Sequence, residues 1–409
     1  MDRRRLLTLG AAGLALTAAP AFSAAPGLQP LPNPPPPIGR AEREARLAKA
    51  QRLMREQGVS ALLIEPGSSL IYFTGVRWWR SERLTCAVIP AEGGICVFTP
   101  FFEEPSVRES LGVPADVRTW QEHEDPTALV AGWLRERKAD KVVAIEETNR
   151  YFIVDGLKRN LPGATLQNGA PIVRGCRMIK SPAEIALMQR ASDITMAAYR
   201  HTIPKIEAGM SPSDIGAIMN AATRALGGEP EFELILLGEA AAYPHGSGKP
   251  QAVKAGEVVL MDCGCTFRGY QSDISRTFVH GEATAKQRKV WAEVKRGQEI
   301  AFAAAKLGAT CGSVDDAARG YYASLGYGPD YKLPGLSHRT GHGIGMDGHE
   351  PVNLVRGEAT TLAPGMCFSD EPGIYIPGEF GVRLEDCFHM TEAGPKWFSP
   401  PSVSIEQPV

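Results

Sequence analysis

The sequence predicts an α+β protein of two domains, and three observations carry the prediction. Residues 39–174 alternate short apolar strand-like runs with helical stretches, as a mixed sheet under covering helices does. Residues 175–409 open on capped helices and continue into hairpin-like strands, so that helices pack on one face of an antiparallel sheet. The length, 409 residues, suits two domains at roughly 100–200 residues each. Hydrophobic residues make up 44% and charged residues 22%, which excludes disorder, collagen, coiled coil and a disulfide miniprotein. The net charge of −2 gives no global pull towards nucleic acid or an anionic membrane.

Residues 1–25 read as an export signal, with an uncleaved membrane anchor as the alternative. Arg3-Arg4-Arg5 precede the apolar run from Leu6 to Ala21, and small residues follow around Ala21-Phe22-Ser23-Ala24. The paired arginines resemble a twin-arginine signal, so the expectation is an exported, periplasmic protein with no stable membrane insertion after cleavage. Residues 26–38 hold Pro30, Pro32 and Pro34 to Pro37; such a run favours extended polyproline II and reads as a tether.

In the first domain (39–174), Arg40 to Gln57 has helical apolar spacing and ends at Gly58. Strands are expected at 61–64, 84–89, 95–99 and 142–145, with a helix over 126–138. Trp78-Trp79-Arg80 is the best candidate there for a loop overhanging a cleft; the alternative is aromatics buried at a strand end. In the second domain (175–409), Ser181-Pro182-Ala183-Glu184 and Ser211-Pro212-Ser213-Asp214 are helix starts, each a capping Ser, a Pro and an acid. Ser313-Val314-Asp315-Asp316 is a weaker third. Helices follow over 188–199, 215–226, 287–306 and 314–325, and strands over 258–265, 273–279, 366–370 and 382–388. The repeated caps hint at internal duplication. Five of the eight cysteines sit in apolar strand-like runs, which favours free buried thiols over disulfides.

Four acids lie where acids are expensive. Asp262 ends the apolar strand Val258-Val259-Leu260-Met261. If Thr266–Gly269 is a four-residue loop, Asp273 falls directly opposite it, with Cβ atoms about 5 Å apart. Glu371 and Glu385 are symmetric about Gly378, and Arg383 shares a strand face with Glu385. Bare carboxylates so close cannot all remain ionised, and divalent cations remove the conflict. His245, His338, His342 and His349 stand in Gly- or Pro-marked contexts. One nitrogen ligand added to four carboxylates suits a hard ion: Mn²⁺ foremost, with Co²⁺ or Zn²⁺ as alternatives. The set fits two divalent metal ions about 3.5–4 Å apart better than one.

Asp262, Asp273, His342, Glu371 and Glu385, in that order and in their Gly-rich and Glu-Pro-Gly contexts, resemble the pita-bread metallopeptidases: methionine aminopeptidase, aminopeptidase P and prolidase. The first domain resembles the creatinase-like domain of the aminopeptidase P and prolidase branch. The resemblance implies those five residues as ligands, Asp273 and Glu385 bridging and Glu371 also accepting a proton. It implies His245 and His349 as groups that hold the substrate carbonyl and move protons, and His338 and Arg383 as flanking substrate-site residues. The implied reaction is metal-assisted hydrolysis at the N-terminus of peptides with proline second, in a homodimer, with the choice between dipeptidase and aminopeptidase staying open. Two alternatives stay open: a hydrolase or lyase of a non-peptide small molecule, and a non-catalytic binding relative.

Overall fold

The computed structural model describes residues 27–409, so the export-signal expectation lies outside the described residues. The first domain contains α1 (Arg40–Glu56), β1 (Ala61–Ile64), α2 (Ser68–Thr74), β2 (Cys86–Pro90), β3 (Cys96–Pro100), α3 (Glu104–Ser110), β4 (Asp116–Trp120), α4 (Pro126–Glu136), β5 (Val142–Ile145), α5 (Tyr151–Asn160), β6 (Thr165–Asn168) and α6 (Ala170–Arg177). Its sheet runs β4-β3-β2-β1-β5-β6. β2 pairs antiparallel with β1 and β3, and the other pairs are parallel. The unbroken apolar runs of β1, β2 and β3 are buried along their whole length, as strands covered on both faces must be. Leu63, Val88, Phe98 and Trp133 pack on one face. Leu62, Ile64 and Ala87 pack on the other, in a cluster that runs on into Leu187, Met188, Ile344 and Cys387 of the second domain.

The second domain starts with α7 (Pro182–Thr202) and α8 (Pro212–Ala225), each closed by the expected capping box. Then come β7 (Glu229–Leu237), β8 (Val258–Phe267), β9 (Tyr270–Gln271) and β10 (Ile274–Val279). A second helix pair, α9 (Ala285–Ala304) and α10 (Cys311–Ser324), precedes β11 (Gly341–Gly343), β12 (Glu350–Leu354), β13 (Cys367–Asp370), β14 (Gly373–Ile376), β15 (Phe380–Arg383), β16 (Asp386–Thr391) and β17 (Gly394–Trp397). One sheet runs β10-β8-β7 and the other β12-β11-β13-β16-β17, with β14–β15 as a separate ribbon. A helix pair followed by antiparallel strands thus occurs twice, with four strands after the first pair and seven after the second.

Three expectations need correction. The cap of α10 is Thr310, whose hydroxyl accepts from the Ser313 N–H at 3.3 Å, and Ser313 lies inside the helix. The strand expected over 382–388 is broken at Leu384-Glu385. The Pro-rich segment bends at Pro32-Asn33, where Asn33 has φ 52°, and it is not a free tether. Leu31 N–H donates to Leu226 O at 3.1 Å, and Arg190 donates to the carbonyls of Pro32 and Asn33, both at 2.7 Å. Leu28 and Leu31 pack on the second domain's core. All eight cysteines are free and buried, as expected.

Candidate metal centre

The first acidic pair is set by a tight turn. Arg268 and Gly269 both have positive φ (52° and 87°), the two-residue geometry that matches strand twist. Phe267 therefore pairs with Tyr270, and Asp262 pairs with Ser275. The expected four-residue loop, with Asp273 directly opposite Asp262, is corrected by that register. Asp273 lies two positions from Ser275, and side chains alternate with period two, so it still faces the Asp262 side diagonally.

The second pair follows the expected symmetry. β14 and β15 pair Gly373 with Arg383 through Ile376 with Phe380, centred on Gly378 at φ 80°. The same register returns at Asp370 and Asp386. Glu371 and Glu385 occupy the gap between these ladders, and their backbones bond elsewhere. Glu371 N–H donates to Thr340 O at 2.8 Å, and Glu385 N–H donates to Ser275 O at 3.1 Å. The latter bond stitches the second hairpin to the first.

His342 on β11 completes the cluster. Its Nδ1–H donates to Gly343 O at 3.0 Å, which leaves the Nε2 lone pair facing the acids. Nε2 is 3.4 Å from Glu371 Oε1, 3.6 Å from Asp273 Oδ2 and 3.9 Å from Glu385 Oε1. Asp262, Asp273 and Glu385 also bring one oxygen each to within 4.8 Å of one another. Asp262 Oδ1, Asp273 Oδ1 and Glu385 Oε1 are buried without a hydrogen-bond partner, a costly arrangement unless a cation satisfies them. Burial and the neighbouring carboxylates push Asp273 and Glu385 well above the usual carboxylate range. Burial, with Asp262 adding to it and Arg383 opposing, raises Glu371 to about 7. Burial and His349 hold His342 well below 6.5. The raised carboxyls mark acids crowded together without a compensating cation, and His342 is held as a neutral ring able to offer its lone pair, so the cluster fits divalent cations.

A second layer orients them. Arg383 donates to Asp262 Oδ2 at 2.5 Å, Ser275 Oγ at 3.0 Å and Pro244 O at 3.1 Å. Ser275 Oγ–H donates to Glu385 Oε2 at 2.8 Å. His338 Nδ1–H donates to Arg339 O at 2.8 Å, so its Nε2 accepts from the Tyr375 hydroxyl at 2.7 Å. Burial lowers His338 to about 3, which keeps the ring neutral. Behind Glu385, the buried Arg276 donates to Asp386 Oδ1 at 2.7 Å and to the Glu385 carbonyl at 2.8 Å.

A cleft of about 490 Å³ opens over the cluster. His245, Asp262, Asp273, His342, His349, Glu371, Arg383 and Glu385 all line it, whereas His338 stands behind the wall. His245 and His349 are exposed at its mouth, and the His349 ring lies edge-on to His342, centroids 4.2 Å apart. Sequence reasoning missed Glu231, Phe232 and Leu234 on the opposite wall, as well as Tyr375 and Ser275. The wall depends on a bulge between Pro230 and Phe232, which has no simple sequence signal. Trp78 and Trp79 are absent from the cleft lining, so the overhang expectation is corrected within one chain. Trp78 Nε1–H bonds Glu103 at 3.1 Å, and Trp79 stacks on it, 67% exposed.

Residues 186–392 match the model of metallopeptidase family M24, and residues 46–179 match the creatinase/prolidase N-terminal domain. The chain is 36% identical over 365 residues to an uncharacterized peptidase of Schizosaccharomyces pombe, covering 84% of this chain and 78% of that one. It is 32% identical over 359 residues to the Xaa-Pro dipeptidase of Lactobacillus helveticus, covering 86% and 96%. The crystal structure of dipeptidase PepE from Mycobacterium ulcerans superposes with a TM-score of 0.82 at 32% identity, over 89% of this chain and 97% of that one. With both of its domains matched in order, the chain belongs to metallopeptidase family M24.

Proposed function

We propose that the protein hydrolyses Xaa-Pro dipeptides with a binuclear centre of divalent cations, Mn²⁺ foremost. The observation that carries this reading is the convergence of four carboxylates and His342 Nε2, with three carboxylate oxygens lacking any other partner. Asp262, Asp273, His342, Glu371 and Glu385 would hold the ions. Ions so held polarise the scissile carbonyl and make water a better nucleophile. Four oxygen donors to one nitrogen favour a hard ion. The names of the Lactobacillus and Mycobacterium relatives support the dipeptide class.

The chain's own residues divide the remaining work. Glu371 takes the proton lost as water attacks the carbonyl of the first residue. His349, at the cleft mouth, hands a proton to the departing proline nitrogen, and His245 donates to the substrate carbonyl. Arg383 fixes Asp262 in place, and Tyr375 links Arg383 to the neutral His338. Phe232 and Leu234 give the first side chain an apolar wall. Trp79, Phe101, Phe102 and Tyr151 of the first domain are exposed, which supports a homodimer formed through that domain. Export to the periplasm is part of the same proposal, and cell fractionation tests it.

The deciding assay strips the protein with chelator, reloads it with Mn²⁺, Co²⁺ or Zn²⁺, and compares Leu-Pro with Leu-Ala and Leu-Pro-Gly. Restored cleavage of Leu-Pro alone supports the reading. Equal cleavage of Leu-Pro-Gly makes the protein an aminopeptidase, and full activity with no metal by elemental analysis overturns the metal centre.

A further inference from the structure

The loop that carries His349 is gripped by the strap joining the two domains. Arg177 ends α6 and Lys180 lies just before the cap of α7. The Arg177 guanidinium donates to Asp347 Oδ2 at 2.8 Å, Glu350 Oε1 at 2.6 Å and Ser69 Oγ at 2.9 Å. Lys180 Nζ donates to Glu350 Oε2 at 3.0 Å. Glu350 also accepts the backbone N–H groups of Met346 at 2.9 Å and Asp347 at 3.3 Å. The loop is therefore wound around one buried carboxylate. It passes so close that a Cβ on Gly345 would lie 2.7 Å from a Glu350 oxygen. Ser68 of α2 donates to the second oxygen of Asp347.

His349 sits between these two anchors, directly before Glu350. Its ring shows no hydrogen bond among the described residues; it meets His342 edge-on instead. The backbone of the loop thus sets where the imidazole lies, and the clamp sets the backbone. Glu350 is buried with two cations on it, so this part of the clamp is permanent. Asp347 is the outer part, with its side chain 47% exposed, and it borders the cleft itself.

We propose that Arg177 and Asp347 are positioning residues for His349, through which the first domain enters turnover although none of its residues lines the cleft. The inference rests on His349 acting as the proton carrier. Both are tested together on the Mn²⁺-loaded full chain with Arg177→Met, Arg177→Lys, Asp347→Asn, His349→Ala and the Arg177→Met/His349→Ala double variant. Arg177→Met should lower kcat by about 10- to 100-fold, part of the 10²–10⁴ that a positioned acid–base group supplies. KM should stay within about twofold and metal content should be unchanged, since no ligand or cleft wall is removed. Arg177→Lys should recover part of the loss, because an ammonium can still satisfy one carboxylate. The double variant should be no slower than His349→Ala alone, whereas a merely structural role predicts that the losses add. In metal-free protein, the His349 ring resonance should shift in Arg177→Met and Asp347→Asn, and less in Arg177→Lys.

Should Arg177→Met fail to fold, Asp347→Asn gives the same comparison with the buried part of the clamp intact. A slow His349→Ala beside a native-like or additive clamp variant overturns the positioning alone. A near-normal kcat for His349→Ala overturns the proton-carrier reading and the positioning with it.

Discussion

Replacing Glu371 by Gln should make the metal-free protein more stable while it destroys metal uptake. Burial raises the Glu371 carboxyl from 4.5 to about 7 in the folded chain. Below about pH 4.5 the group is protonated in both folded and unfolded states and contributes no difference. As the pH rises towards 7, the unfolded chain releases its proton first, so folding loses stability, and above about 7 that loss is complete. A rise from 4.5 to about 7 corresponds to about 3 kcal/mol. Gln keeps the shape of the protonated acid and does not titrate. Urea unfolding in chelator near pH 8 should therefore show the variant about 3 kcal/mol more stable than the native chain, at unchanged denaturant slope. The gain should shrink through pH 6 and vanish near pH 4.5. With Mn²⁺ present the order should reverse, because the ion stabilises only a folded chain that binds it. A metal-free variant less stable than the native chain near pH 8, or a gain that ignores pH, refutes the reasoning.

His342→Ala should lose metal affinity, whereas His349→Ala should keep both metals and the fold while kcat falls by about 10²–10⁴; elemental analysis beside steady-state kinetics separates the two. Arg276→Met should cost about 3–5 kcal/mol in urea unfolding, because it strands the buried Asp386 carboxylate, and a loss below about 1 kcal/mol would argue against that ion pair. Trp79→Ala should weaken self-association about tenfold, roughly 1.4 kcal/mol, without changing the unfolding midpoint; an unchanged sedimentation profile removes Trp79 from the interface.

The site was legible from the sequence where period and symmetry were strong. The apolar run before Asp262 announced a buried strand, although Asp262 lies in the middle of β8 and not at its end, and Gly378 set the register that brings Glu371 and Glu385 together. Positive φ at Arg268 was the step that spacing missed, since only Gly269 announces a turn and Arg268 does not. β4 and β6 escaped because they are the sheet's edges and carry polar residues, Asp116 and Arg118 in one and Gln167 and Asn168 in the other. The wall at Phe232 and the partners Ser275 and Tyr375 depend on which strands meet in space. No local pattern in their own neighbourhoods encodes that meeting.

The proline-rich segment gives the first domain a further anchorage beside the shared core and the α6–α7 connection. At its far end that domain passes through α6 into α7, and at its near end the chain is pinned along α7 and α8 by Leu31 and Arg190. A swing of the first domain about the α6–α7 connection must therefore also peel residues 27–38 from the second domain. The segment acts as a stay between the domains, so any displacement of the first domain carries the cost of that peeling. A chain beginning at Gly39 would keep every cleft residue and the core shared by the two domains yet lose this tie, and faster hydrogen exchange along the strap at 177–181 would reveal it.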